Sequence, residues 1–213
     1  MGSKPLILSS SLRGICVGLM LGDATMQTQS DSKTYRMKFQ MLEDHRDYAE
    51  ILYQYFGKEW IPSKPHSFQR TNESKPMLSF QTVSTPALVP IAKLFYQPIS
   101  LGNNVLSKTK TIPPLLIENQ LTEAGLACWF MDDGSKGDWT KNRGKQIHLH
   151  THGFTEIEVK SLCEGLSVKW GLEAWPKKNR GRHIVCISGN SFKRFQSIVM
   201  SYLVPSFYYK MPR

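Results

Sequence analysis

Apolar positions along this chain alternate between helix-like and strand-like spacing, and the series runs through twice. The first helical stretch is Gly14-Ile15-Cys16-Val17-Gly18-Leu19-Met20-Leu21-Gly22-Asp23-Ala24, with N-cap candidates in Ser9-Ser10-Ser11. The second is Ala124-Gly125-Leu126-Ala127-Cys128-Trp129-Phe130-Met131-Asp132-Asp133-Gly134, capped by Thr122. One constant shift lays Gly14 on Ala124, Gly18 on Cys128 and Asp23 on Asp133. Each copy predicts an apolar helix with small residues along one face and an acid beside its last turn. Glycines four apart share a helix face and let a second backbone approach closely.

The segments that follow each helix also correspond. Residues 24–29 read as a strand with Thr25, Gln27 and Gln29 on one face, and Ser30-Asp31-Ser32-Lys33 as a turn. Residues 35–41 alternate, sending Tyr35, Met37, Phe39 and Met41 inward and Arg36, Lys38 and Gln40 outward. An amphipathic helix over 44–57 buries Tyr48, Ile51, Leu52, Tyr55 and Phe56. A loop over 62–76 carries Lys64, His66 and Arg70, a strand covers 77–83, and Thr85-Pro86 opens a helix cut short or kinked at Pro90. Residues 98–111 connect the halves, which divide as 1–104 and 105–213.

The second half replays this order. A basic hairpin over 135–145 leads into a strand over 146–152. Residues 155–170 form a helix with a capping box of Thr155 and Glu158, burying Val159, Leu162, Leu166 and Trp170. A basic turn over 177–182 joins a strand pair ending at Ser188, and a last helix carries Phe192, Phe195, Ile198 and Tyr202. The expected fold is α+β, a pseudo-twofold duplication of αββαββα halves with the motif helices packed at the interface. Two four-stranded antiparallel sheets are expected side by side as a saddle, each with one dry and one wet face. Arg36, Lys38 and Gln40 face outward in one half, and His148, His150 and His152 in the other. Two such ribbons suit successive stretches of a DNA major groove.

Charge narrows the partners. Among 213 residues there are 27 Lys+Arg against 17 Asp+Glu, a net charge of +10 that points to a polyanion: nucleic acid or an anionic membrane. The motif helices are apolar over about ten residues where a membrane span needs about twenty, and no sustained basic amphipathic helix appears, so the membrane is set aside. Cys16, Cys128, Cys163 and Cys186 form no CxxC pair and read as reduced core residues of an intracellular protein. Met1-Gly2-Ser3-Lys4 has no signal-peptide pattern and matches a myristoylation start only weakly.

The acids at the helix ends carry the chemistry. A carboxylate at a helix C-terminus meets the negative end of the macrodipole. If the two helices pack side by side, Asp23 and Asp133 come together as well, and like charges about 4 Å apart repel by roughly 4 kcal/mol at an effective dielectric near 20. A bound cation offsets that repulsion. Either helix alone reads equally well as ordinary core packing; the repetition of stripe and acid together points to a site.

These motifs, Val17-Gly18-Leu19-Met20-Leu21-Gly22-Asp23 and Leu126-Ala127-Cys128-Trp129-Phe130-Met131-Asp132-Asp133-Gly134, together with Lys110-Thr111-Ile112-Pro113 and Tyr209-Lys210-Met211-Pro212, resemble the LAGLIDADG homing endonucleases. The resemblance is nearest to the single-chain, intron-encoded organellar branch and runs from about Leu12 to Pro212. Both copies depart from the family's sixth-position acid, with Leu21 and Met131 there. The resemblance implies a monomeric, site-specific double-strand DNA endonuclease that cuts a long, largely non-palindromic target and promotes intron mobility in a mitochondrion or chloroplast. It implies divalent metal, Mg²⁺ with Mn²⁺ as a substitute, at Asp23 and Asp133, with Gly22 in the same site and Asp132 as the rival for its second half. Lys110 and Lys210 match the lysines that assist near the scissile phosphates, with plain phosphate clamping as their alternative. Gln40 and His150, related by the same shift, match the positions that organise the water pocket.

Candidate DNA contacts are Gln27, Gln29, Lys33, Arg36, Lys38, Arg70, Lys136, Lys141, Arg143, Lys145, His148, Lys177, Lys178, Arg180, Arg182 and His183. His148, His150 and His152 also share a strand face in a spacing open to zinc, though a DNA-facing row is preferred. Two other functions remain open: an intron maturase that binds intron RNA on the same fold, and a DNA-binding regulator without catalysis.

Overall fold

Two helices of almost wholly buried residues, α1 (Ser10–Leu21) and α5 (Glu123–Asp133), lie against each other at the middle of the molecule. Their capping follows from sequence: the Ser9 hydroxyl accepts the Leu12 N–H and the Thr122 hydroxyl the Gly125 N–H. Their separation is set by glycine. A Cβ on Gly18 would stand 1.9 Å from the Gly125 carbonyl oxygen, and one on Gly125 would stand 2.2 Å from that of Gly14. Backbone therefore meets backbone across the seam, and the helical penalty of roughly 1 kcal/mol per glycine is the cost of that approach.

This computed structural model describes residues 5–30, 32–96, 109–137 and 145–212. Lys141, Arg143, Asp31, most of the expected connector and the 104/105 boundary lie outside the described residues.

Each motif helix feeds a sheet of the same topology. In the first half β1 (Thr25–Gln27), β2 (Arg36–Leu42), α2 (Arg46–Phe56), β3 (His66–Phe68), β4 (Met77–Gln81) and α3 (Val89–Phe95) follow α1. After a short α4 (Leu116–Gln120), α5 is followed by β5 (Gly134–Lys136), β6 (Ile147–Leu149), α6 (Glu156–Trp170), β7 (Ala174–Asn179), β8 (Arg182–Ile187) and α7 (Phe192–Val199). Both sheets are antiparallel, with strand orders β1-β2-β4-β3 and β5-β6-β8-β7. The expected pair of αββαββα units is present.

Local details agree with the pattern, with some differences. Thr155 and Glu158 close the capping box of α6, and the four free cysteines are buried. The β7–β8 turn places Arg180 and Gly181 at positive φ, 49° and 77°, which is the primed turn geometry that matches strand twist. The first strand ends at Gln27, so Gln29 is a loop residue, and Tyr35 bridges Thr85 rather than starting β2. Residues 66–68, expected as loop, form β3 on the edge of the sheet, where a short strand needs a partner on one side only. Tyr48, Leu52 and Phe56 are buried on α2, while Ile51 and Tyr55 are half-covered. Residues from both halves join in one hydrophobic core.

Candidate active site and nucleic-acid face

The seam ends in acids. α1 stops at Leu21, Gly22 leaves helical geometry, and Asp23 stands exposed just beyond it. α5 runs on to Asp133, whose preceding residue, Asp132, reaches across: its Oδ2 accepts the Asp23 N–H at 3.3 Å. The acids of the two halves are thereby brought to one place.

Two lysines reach the same place from distant sequence. Lys110 Nζ donates to the Gly22 carbonyl at 2.9 Å. Lys210 Nζ donates to the carbonyls of Asp132 and Met131, at 3.0 and 2.5 Å. Gly22 and Asp132 hold the same place in the two motifs, so the two contacts are pseudo-twofold equivalents. Each ammonium sits on the carbonyl end of a motif helix, where the macrodipole favours positive charge. Lys210 also lies 5.1 Å over the Phe207 ring, and Phe207 stacks on His45 of the first half at 4.2 Å.

Electrostatics follow from this crowding. Burial, then the charge of Asp23, pushes the Asp133 carboxyl up to about 7 against the pull of Lys110 and Lys210. Burial foremost, with the Asp23 and Asp133 charges behind it, raises Asp132 well above the usual carboxylate range. Both lysines are lowered by burial, and the three acids oppose that shift. Carboxylates crowded together at a largely buried seam, and open to solvent through Asp23, form a donor set that suits a hard divalent cation. Among the described residues no three His, Cys, Asp or Glu side chains gather at metal-ligating spacing. A cation here would complete its shell with water and phosphate oxygens, as Mg²⁺ usually does.

The water-pocket positions differ between halves. Gln40 lines an open cavity of about 300 Å³ with Asp23, Asp132, His45, Tyr209 and Lys210. His150 donates its main-chain N–H to the Asp133 carbonyl at 2.9 Å, and its Nε2 is 2.8 Å from the Ser135 hydroxyl. Ser135 is therefore a partner that no sequence signal singles out. The histidine row does not converge on a common point. His148 Nε2 meets Lys177 Nζ at 3.2 Å, His152 Nε2 meets Asn179 Oδ1 at 3.0 Å, and His150 stacks on His152 at 5.5 Å.

Register sorts the candidate DNA contacts by face. Thr25 pairs with Lys38, Gln27 with Arg36, Lys38 with Gln81 and Gln40 with Ser79, so all of these share the wet face of the first sheet. Arg36 Nη2 donates to Gln27 Oε1 at 3.2 Å. That face also forms an open groove of about 410 Å³ walled in part by Lys64, His66 and Gln81, which are not among the candidate contacts drawn from sequence. The signal for Ser79 and Gln81 is their alternation with Leu78 and Phe80. His66 falls in a segment that reads as loop.

In the second sheet Ser135, His148, Cys186, Ile184, Trp175, Lys177, Asn179 and Arg182 share one face. Lys136 pairs with Ile147 and Lys178 with His183, which puts these four on the opposite face with Leu149 and Val185. His183 Nδ1 lies 3.6 Å from Glu156 of α6, so that face is the helix-covered one. His148 is only 9% exposed, and Lys145 lies over the Phe192 ring. Gln29, Lys33, Arg70 and Arg180 stand in loops and turns at the sheet ends.

Comparison with known proteins agrees with this fold. The model of the LAGLIDADG DNA endonuclease family matches residues 13–195. The chain belongs to that family. A probable intron-encoded endonuclease 1 of Wickerhamomyces canadensis is 30% identical over 197 residues, spanning 92% of this chain and 81% of its own length. The homing endonuclease I-WcaI, solved bound to its DNA recognition sequence, superposes with a TM-score of 0.83 at 29% identity. That match covers 97% of this chain and 88% of I-WcaI. The cytochrome b mRNA maturase bI2 of Debaryomyces hansenii is 25% identical over 216 residues, 98% of this chain and 76% of that protein.

Proposed function

We propose that this LAGLIDADG family member is a homing endonuclease: a monomer that cuts both strands of a long, largely non-palindromic DNA target and so promotes mobility of its host intron. The observation that carries the reading is the convergence of Asp23 and Asp133 at the end of the glycine seam, each half adding a lysine. Asp23 and Asp133 would hold divalent cations, Mg²⁺ with Mn²⁺ as a substitute, with Gly22 and Asp132 next to them in the chain. When bound, the cations supply charge neutralisation at the phosphate and an acidified water.

The protein's own groups do the rest. Lys110 and Lys210, held at the helix ends, present positive charge to the reacting phosphates. Gln40 and His150 orient water beside the acids of their halves, with the Ser135 hydroxyl fixing the His150 ring. Gln27, Arg36 and Lys38 on one sheet, and Lys177 and Arg182 on the other, meet the duplex. Because one chain contains both halves, no second copy is needed to complete the site, and their differing side chains read differing half-targets. An intron-encoded origin is supported by the names of the relatives, and a mitochondrion or chloroplast is the location expected for it.

The test is cleavage of a DNA library that includes the uninterrupted host allele, with Mg²⁺, by wild type, Asp23→Asn and Asp133→Asn. Full activity in either variant would remove the metal-site assignment. The likeness to a cytochrome b maturase supports a second reading, binding of intron RNA. Tighter binding to folded intron RNA than to duplex DNA at matched salt, with no cut strands, would favour it. A regulator without catalysis would give a stable complex with Mg²⁺ and uncut target.

A further inference from the structure

The two halves end their motif helices differently. In α5 the helix includes Asp133, and the N–H of its C-cap Gly134 still closes on Phe130. In α1 the last regular bond is Gly22 N–H to the Gly18 carbonyl at 3.1 Å. The next intrahelical acceptor, the Leu19 carbonyl, is taken not by Asp23 but by the N–H of Ala24, at 3.1 Å. The Asp23 N–H is thus left without a main-chain partner at the point where the acid must be aimed. Helix ends leave such donors, and a donor without a partner costs free energy and orientation.

Asp132 supplies the missing acceptor from the other half. Its Oδ2 lies 3.3 Å from Asp23 N, and Gly22 is small because this carboxyl fills its side-chain space: a Cβ there would stand 2.4 Å from the same Oδ2. The carboxyl lines the same cavity as Tyr48, a buried residue of α2 whose hydroxyl donates to the Cys128 carbonyl at 3.4 Å. The Asp132 main-chain oxygen takes the Lys210 ammonium. Asp132 is therefore held at both its main chain and its side chain, the side chain meeting the main chain of Asp23. In the repeat its counterpart is Gly22, which has no side chain to return the contact, so the arrangement acts in one direction only.

We propose that Asp132 is the positioning residue for Asp23, serving through its side chain as a hydrogen-bond acceptor across the seam and not as a cation-ligating carboxylate. This rests on the reading of Asp23 as a cation-holding acid. Asparagine keeps a carbonyl acceptor at the same place and lacks the charge; alanine keeps neither.

The test compares Asp132→Ala and Asp132→Asn in two measurements. The first is exchange of the Asp23 amide hydrogen in metal-free full-length protein, which reads the hydrogen bond whether or not the chain cleaves DNA. The second is single-turnover cleavage with Mg²⁺, alongside target affinity. Alanine is expected to speed Asp23 exchange and slow cleavage by about tenfold or more, with DNA affinity within about threefold. Asparagine is expected to return both to within about threefold of wild type. Unchanged Asp23 exchange in the alanine variant overturns the proposal. So does an asparagine variant that protects Asp23 yet cleaves as poorly as alanine, which would make the charge itself the requirement. If the alanine variant does not fold, the asparagine variant decides alone by the same two readings. Loss of cleavage in the wild type would refute the endonuclease reading, and the exchange result would still judge this one.

Discussion

Replacing Gly18 with alanine tests the seam on which the site depends, because two effects predict opposite signs. Helix propensity favours alanine by roughly 1 kcal/mol, so a loosely packed α1 would be stabilised. In the structure the added methyl would stand 1.9 Å from the Gly125 carbonyl oxygen, which is backbone and cannot rotate away. Restoring an ordinary contact of about 3.4 Å requires the helices to part by about 1.5 Å, and overpacking of this kind typically costs about 1–3 kcal/mol. The clash outweighs the propensity gain, giving a net loss of up to about 2 kcal/mol. The consequence for chemistry is larger: displacing catalytic groups by about 1 Å can cost about 100-fold in rate. Urea unfolding gives the stability, and single-turnover cleavage at saturating target gives the rate. Gly153, where an added methyl would meet nothing within 4 Å and φ is not positive, is the control, and its alanine variant should match wild type in both. A Gly18→Ala protein as stable as wild type and equally active would refute the close approach of the helices.

Other expectations follow from the same geometry. Lys110→Met and Lys210→Met each remove an ammonium from a helix end beside the acids, and each should slow single-turnover cleavage by about tenfold to a thousandfold with little change in target affinity. Lys177→Ala should weaken DNA binding and flatten its salt dependence by about one unit of slope, while Lys178→Ala, on the helix-covered face, should leave the slope unchanged in salt titrations. The Asp133 carboxyl titrates near 7 in the fold against about 3.9 in the unfolded chain, so the native state binds the extra proton between those values. Its contribution is therefore full below about pH 4 and lost as pH rises through about 7. Thermal unfolding in chelator should show falling stability over that window, and added Ca²⁺ should flatten it. Thr155→Val removes the hydroxyl of the α6 capping box and should cost about 1 kcal/mol by urea unfolding.

Much of this protein is legible locally. The alternation of Met37 and Phe39 with Arg36, Lys38 and Gln40 fixes both a strand and its faces, because side-chain direction in a strand follows from period alone. The small-residue stripe and terminal acid occur once in each half, and that repetition determines the pseudo-twofold architecture, the helix seam and the gathering of acids from both halves at its end. Ser9, Thr122 and the Thr155–Glu158 box mark helix starts because capping is a short-range hydrogen bond.

Tertiary structure decided what depends on partners. The run Lys177-Lys178-Asn179 has no apolar alternation, so only its pairing with β8 shows that Lys177 joins the His148 face and Lys178 the helix side. Lys136 and His183 fall on that helix side by the same register. β3 exists because the edge of β4 offers hydrogen bonds to a segment of weak intrinsic preference. Lys110 and Lys210 reach their carbonyls on Gly22 and Asp132 across 88 and 78 residues of chain, and no local pattern states which carbonyl each will hold. Local sequence encodes periodicity and caps, whereas the orientation of a side chain across a seam is fixed by packing among segments far apart in the chain.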